Sequence, residues 1–201
     1  VIAVDGPAAS GKGTIARRLA RHFGFPHLDT GAIYRAVALR VPDGDPGAAV
    51  AAAAAFDPAW IDLPGLRDES VGQVASRVAA IPEVRAALLA FQRRFAATPP
   101  GAVLDGRDIG TVVWPAAEAK LFVTAHVEVR AGRRARELRA RGDDVIYRDV
   151  LQDLIARDAR DAERAVAPLT AASDALMLDT SRLDAERAFV AALAFTSGRI
   201  A

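Results

Sequence analysis

The first chemistry legible in the chain lies at Gly6-Pro7-Ala8-Ala9-Ser10-Gly11-Lys12-Gly13-Thr14, which has the spacing GxxxxGK. Glycines at its two ends let backbone N–H groups curl around phosphate oxygens, and the lysine adds a mobile cation for the outer phosphates of a nucleoside triphosphate. A hydroxyl is needed beside them for Mg²⁺. Here Gly13 follows the lysine and the hydroxyl comes one residue later, at Thr14. Of the 26 lysines and arginines only Lys12 and Lys120 are lysines, so a lysine kept at this position stands against the chain's own preference for arginine. A Gly-rich turn with no ligand is the plain alternative, and the flanking elements decide between the two.

Five further stretches carry charged or polar side chains. Leu28-Asp29-Thr30-Gly31-Ala32-Ile33-Tyr34-Arg35 starts at the end of a short strand-like segment, so it would face the same crevice as the phosphate loop. By themselves Thr30 and Arg35 read as a helix N-cap and a surface arginine. Asp105-Gly106-Arg107-Asp108-Ile109-Gly110-Thr111-Val112-Val113 leaves an apolar run, which places Asp105 as an acid that organises Mg²⁺ or its water shell, with Thr14 as the other metal candidate. A buried Arg-Asp pair holding the loop is the competing explanation for Arg107 and Asp108. Arg157, Asp161 and Arg164 share one face of a helix by their spacing, as solvated ion pairs also would. The segment from Ser76 to Arg85 reads only as an amphipathic helix start. A basic stretch through Arg130, Arg133, Arg134, Arg136, Arg139 and Arg141 ends at Gly142-Asp143-Asp144, which suits either a lid over a triphosphate or a solvated helix. Arg133 and Arg134 are its candidates for phosphate contact.

The elements that must hold these residues follow from periodicity. Val1–Asp5, His27–Asp29, Ala102–Asp105, Lys120–Thr124 and Ala175–Asp179 read as buried strands without polar alternation. Helical patterns lie between them, at Ile15–Phe23, Ala32–Leu39, Val71–Ala80, Val84–Phe95, Val127–Arg141, Arg148–Arg164 and from Asp184 onward. Strands of this kind alternating with helices predict a parallel sheet covered on both faces, in one α/β domain. Between Val41 and Ser70 prolines punctuate the chain, the alanine run offers one helix, and no period-2 strand is visible.

Composition excludes several function classes. No cysteine is present, which removes disulfides, thiolate nucleophiles and sulfur-ligated metals and fits a reducing cytoplasm. His22, His27 and His126 have no metal-ligand spacing. A formal net charge of +1 provides no global field for nucleic acid, so phosphate binding must be local. The run Ala48–Ala55 is too short to span a bilayer, and a soluble, cytoplasmic monomer is expected.

Gly11-Lys12-Gly13-Thr14 resembles the phosphate loop of nucleoside monophosphate kinases, and Asp29-Thr30-Gly31-Ala32-Ile33-Tyr34-Arg35 is similar to the acceptor-side signature of bacterial cytidylate kinases, usually written with serine in place of Thr30. Asp105–Val113, Ser76–Arg85 and Arg157–Leu169 match further segments of that family, so four motifs stand in the family's order between Val1 and about Thr180. No Asn-Lys-x-Asp motif of a GTPase is present. The resemblance implies a P-loop NTPase-type, doubly wound, five-stranded parallel sheet that phosphorylates CMP, and also dCMP, from ATP with Mg²⁺. It implies catalytic cations at Lys12, Arg35 and Arg107, and ATP held by Gly6–Thr14 with Arg133 and Arg134. Thr30, Arg35 and Arg107 would hold the CMP side, Asp108, Ser76, Arg85 and Arg164 the base, and Arg157 and Asp161 the ribose. Residues 41–75 form a shortened acceptor-side insertion, lacking the small antiparallel sheet usual there, and residues 136–149 a short arginine-rich lid. The alternatives are another small-molecule kinase with a UMP or AMP acceptor, and a nucleotide-binding regulatory protein without catalysis.

Overall fold

The structure of the protein, a computed structural model, describes residues 1–200. Five strands among the described residues form one parallel sheet: β1 (Ile2–Asp5), β2 (His27–Asp29), β3 (Val103–Gly106), β4 (Ala119–Thr124) and β5 (Leu176–Asp179), in the order β2-β3-β1-β4-β5. β1 is central and fully buried. Its register, Asp5 opposite Gly106 on one side and Phe122 on the other, brings the carboxyl ends of the strands to one edge. The chain leaves β1 for the β2 side and later returns to β4 on the other side, which opens a crevice at that edge where an α/β sheet binds its ligand.

Period-2 alternation distributes the strands between two cores. Ile2, Val4, Val103, Leu121 and Val123 meet α1 (Lys12–Phe23) through Ile15 and Leu19, and α8 (Ala185–Ser197) through Ala188 and Ala192. Ala3, Leu28 and Leu104 face the other way, against α2 (Thr30–Arg40), α4 (Glu69–Val78) and α5 (Pro82–Ala96), where Ile33, Val37, Val78, Val84 and Leu88 are sealed from solvent. α6 (Val127–Ala140) and α7 (Tyr147–Glu163) pair through Ala131, Leu138, Val150 and Leu154 and cover Ala8 of the phosphate loop.

Strand and helix positions follow the hydrophobic pattern to within about two residues, the usual uncertainty of element ends, except that α1 begins three residues before Ile15. Pro82 sits in the first turn of α5, where its missing N–H costs nothing. Residues 41–68 form no strand: α3 (Pro46–Ala54) is capped by Asp45, whose carboxylate accepts from the Ala48 N–H at 2.7 Å, and a single 3₁₀ turn follows at Pro58–Asp62. Periodicity does not reveal one element. Residues 109–113 make a wide turn in which the Val113 and Trp114 N–H groups reach back five residues to Asp108 and Ile109. Such turns rarely arise without a tertiary constraint and gather at functional sites. No helix among the described residues is long and apolar enough to cross a membrane.

Candidate active site

The loop between β1 and α1 is built by backbone conformations that only a few residues adopt. Gly6 has φ +147° and passes so close to Val123 that a Cβ would lie 2.0 Å from its carbonyl oxygen. Gly11, at φ +94°, is the N-cap of α1 and has no side chain to compete for the helix N–H groups. The outer rim of the loop is tied down: Arg130 donates to the Ala8 carbonyl at 3.2 Å, and Thr180 Oγ1 to that of Ser10 at 2.9 Å. Arg130 is itself held by Asp158. The loop is therefore rigid before any ligand arrives.

This loop floors a cleft of about 550 Å³. Lys12, Arg35, Arg107, Arg133, Arg134 and Arg157 all line it, a convergence of cations from five different elements and loops. Their partners differ. Arg107 Nε donates to Asp161 Oδ2 at 2.7 Å, and with Asp161 almost sealed the pair is buried. Arg35 donates to the carbonyls of Leu66 at 3.3 Å and Asp68 at 3.2 Å, so α2 is fastened to the start of α4. Arg134 pairs with Glu69 of α4 and, at 3.0 Å, with Glu137. Arg133 reaches Thr180 by its hydroxyl at 2.9 Å and its carbonyl at 2.7 Å. Lys12 and Arg157 make no side-chain hydrogen bond or ion pair among the described residues, and the Nε of Arg157 is buried without a partner.

Those differences appear in the titration of each group. Burial, reinforced by Arg107, pushes the Lys12 ammonium down to about 8 despite Asp105 and Asp29 nearby. Burial and the neighbouring Arg107 bring Arg157 down to about 10. Arg107 is also buried, but its Asp161 partner outweighs that and holds it above the ordinary arginine value. The same pair, against the effect of burial, holds Asp161 below the usual carboxylate range.

Behind Arg107 the cluster closes on itself. Asp108 is buried and paired with Arg85, not with the adjacent Arg107. Arg85 also donates to the Ala79 carbonyl at 3.3 Å and lies over the Tyr34 ring, 5.6 Å from its centre. Arg164, just past the end of α7, donates to the Ala167 carbonyl at 2.6 Å and leaves one terminal nitrogen buried and unpaired. Ser76 accepts from Arg160 at 3.3 Å. Thr30 donates to the Asp105 carbonyl at 2.9 Å, which binds the start of α2 to the end of β3. Gly6, Pro7, Ser10, Thr30, Ser76, Arg85, Asp108, Asp161 and Arg164 thus lie beside or behind the cleft rather than in its wall.

The family model that matches this chain is the one described as cytidylate kinase, aligned over residues 2–53 and 62–194. The chain belongs to the cytidylate kinase family. A cytidylate kinase of Xanthobacter autotrophicus is 60% identical over 203 residues, covering 99% of this chain and 98% of that protein. One of Rhodospirillum rubrum is 60% identical over 202 residues, with 96% and 95% covered. Among solved structures, an uncharacterized protein from Eubacterium ventriosum shares the fold with a TM-score of 0.56 at 15% identity, over 98% of both chains. Within that span the cytidylate kinase match is interrupted at residues 54–61, which run from the last residue of α3 through most of the 3₁₀ turn.

A member of the cytidylate kinase family uses a triphosphate that generally carries Mg²⁺, and the donor set here fits that ion. Among the described residues no three His, Asp or Glu side chains gather into a protein cage for a metal. Mg²⁺ brought in on phosphates needs no such cage, because it keeps several waters and takes one or two protein oxygens. Asp105 Oδ1 is engaged by His27 at 2.7 Å, while Oδ2 lies 3.5 Å from where a Cβ on Gly13 would stand, against the first turn of α1 that bears Thr14.

Residues outside the sequence-based site also shape it. Asp5, last in β1, accepts from the Ile109 and Gly110 N–H groups at 2.8 Å each and so imposes the wide turn after Asp108. Burial raises its carboxyl to about 6 against those two bonds. An acid ending an apolar strand is the same signal that singles out Asp105, and it stood at Asp5 as well. Glu69, Arg130 and His27 have no comparable signal, because their partners lie on elements far away in sequence.

Proposed function

We propose that the chain transfers the γ-phosphoryl group of ATP to CMP or dCMP, giving ADP and the nucleoside diphosphate. The observation that carries this is the single cleft in which the phosphate loop and Lys12 face Arg35, Arg107 and Arg157. One set of cations suits the donor phosphates and the other the acceptor phosphate, with a sealed polar cluster behind the second for a base.

The acceptor phosphate is the nucleophile. Its second ionisation lies near 6, so at neutral pH it is a dianion and needs no side-chain base. One of its oxygens forms a bond to the γ-phosphorus as the bond to the β–γ bridging oxygen breaks, and the electron pair leaves on ADP. Catalysis then rests on in-line positioning and on compensating charge as it spreads over the transferring group. Lys12, Arg35 and Arg107 supply that charge, and Gly6–Thr14 with Arg133 and Arg134 hold the donor. Thr14 and Asp105 would hold Mg²⁺, which when bound offsets negative charge on the triphosphate oxygens.

Thr30, Arg35 and Arg107 hold the acceptor phosphate side and Arg157 and Asp161 the ribose. Ser76, Arg85, Asp108 and Arg164 read the cytosine. Residues 41–75 act as a reduced acceptor cover and residues 136–149 as a lid that excludes water. Coupled detection of ADP with CMP, dCMP, UMP and AMP offered separately tests the proposal. Turnover on CMP and dCMP well above UMP and AMP is expected. Preference for UMP or AMP, or nucleotide binding without turnover, overturns it.

A further inference from the structure

Asp105 is the penultimate residue of β3, with its side chain only 4% exposed. Among the described residues one side chain donates to its carboxylate, His27, whose Nε2 stands 2.7 Å from Oδ1. Strand register brings the two together. His27 lies opposite Val103 and Asp29 opposite Asp105, and side chains two apart on a strand share a face. His27 and Asp105 therefore project to the α1 side of the sheet, where Val103 packs, offset by two positions. An imidazole spans that offset.

An ionised carboxylate only accepts, so the imidazole must present Nε2–H to it. With Oδ1 engaged, the carboxylate cannot turn about its Cβ–Cγ bond, and Oδ2 stays against the first turn of α1. A competitor is close by: Arg17 NH1 and Asp105 Oδ2 both lie 3.5 Å from the same point, the position of a Cβ on Gly13. A carboxylate released from His27 would be free to take that guanidinium as its partner instead.

We propose that His27 is a positioning residue for phosphoryl transfer: its Nε2–H holds Asp105 by one oxygen so that the other stays aimed at the metal–triphosphate on the phosphate loop. This rests on Asp105 holding the metal. Hydrogen bonds to a ligating carboxylate fix its orientation, and losing such a partner costs about 10- to 100-fold in metal affinity or activity.

The test compares His27→Gln with His27→Met, two side chains of nearly equal size of which only glutamine offers an N–H. Binding of Mn²⁺ in the presence of ADP, followed by electron paramagnetic resonance, is measured beside kcat and the KM for CMP. The methionine protein is expected to bind Mn²⁺ about 10- to 100-fold more weakly and to lose kcat by a similar factor, with the KM for CMP unchanged. The glutamine protein is expected to stay within about threefold of the native values, because the donor is restored.

Native Mn²⁺ binding and kcat in the methionine protein overturn the proposal, as does a glutamine protein that loses as much as the methionine one. If the methionine protein does not fold, His27→Leu replaces it under the same criteria. Failure of both to fold overturns a positioning role in favour of a structural one. Asp105→Asn separates the two claims. Undiminished Mn²⁺ binding in that variant sinks the metal role of Asp105 itself, whereas a loss there with native binding in His27→Met sinks only the role of His27.

Discussion

At the donor end of the cleft Lys12 has no anionic partner, and burial pushes it down to about 8. At the acceptor end Arg85 and Arg107 are also withdrawn from water yet held above the ordinary arginine value, with Asp108 and Asp161 facing them. The two ends therefore meet a nucleotide on different terms. The phosphate loop is a rigid cradle whose cation lacks charge compensation until a triphosphate supplies it. At the acceptor end Arg85 and Arg107 are already neutralised, so a nucleotide reaching them must exchange partners with existing ion pairs, whereas Arg35 donates only to the Leu66 and Asp68 carbonyls. Arg157 belongs with Lys12 in this respect, brought down to about 10 with its Nε unpaired. A cation of each kind thus stands in one cleft, which favours strong phosphate binding at one end and discrimination at the other.

The largest effect expected is on turnover from the donor end. Lys12→Ala should lower kcat at least about 100- to 1,000-fold, the loss that follows removal of one preorganised charge-stabilising group. Its melting temperature should stay within about 2 °C of the native value, because no folded-state partner is lost. Lys12→Arg should not restore turnover, since a forked guanidinium does not occupy the place of a compact ammonium. Kinetics and thermal denaturation of both variants check this, and near-native activity in either would remove the contrast between the two ends.

The acceptor end should show the opposite signature. Asp161→Ala leaves Arg107 buried without its carboxylate and should cost about 3–5 kcal/mol of stability. For a chain of this size that is a fall of about 6–20 °C in melting temperature, read by calorimetry. A stability unchanged by this substitution would mean that the Arg107–Asp161 pair is not the anchor described here.

A third expectation sharpens the donor end alone. A triphosphate beside Lys12 stabilises the ammonium, so its pKa in the complex exceeds the free value of about 8. Below that value lysine is protonated in both states and binding moves no proton at this site. Above it the free lysine is partly neutral, binding takes up a proton, and affinity falls as pH rises further. Titration calorimetry of ATP at about pH 8.5, in buffers of different ionisation enthalpy, should report uptake of about three-quarters of a proton, lost in Lys12→Met. Equal uptake in both proteins would assign the proton to another group.

The smallest effect concerns base choice. A carboxylate at Asp108 accepts from the cytosine amino group but repels the uracil oxygen, whereas asparagine can turn its amide to serve either base. Asp108→Asn should therefore narrow the CMP-over-UMP ratio of kcat/KM by about 1–3 kcal/mol. Measuring both nucleotides removes any general damage from weakening the Arg85 pair, which would depress the two values together. An unchanged ratio would make Asp108 a structural partner of Arg85.

Residues 6–14, the strands and most helices are legible in the sequence because the forces that shape them are local. A left-handed turn calls for Gly6 or Gly11, an N-cap for Asp45 or Asp184, and burial on both faces for an unbroken apolar run such as Ile2–Val4. The Asp105 and Arg107 motif is legible for the same reason, as an acid and a sharp turn leaving a buried strand.

The pairings are another matter. Asp5 meets Ile109 across 104 residues, His27 meets Asp105 across 78, and Arg107 meets Asp161 across 54. Adjacency in the motif offers an Arg107–Asp108 pair only as the competing explanation for those two residues. The sheet order instead turns Asp108 toward Arg85 and Arg107 toward α7. The sequence by itself determined which residues could carry phosphate chemistry and which segments would be strands and helices. Only the tertiary structure decided which of those charges are spent on one another and which stay free for a nucleotide. Strand order and register are settled by packing the whole core, and no local run of residues contains them.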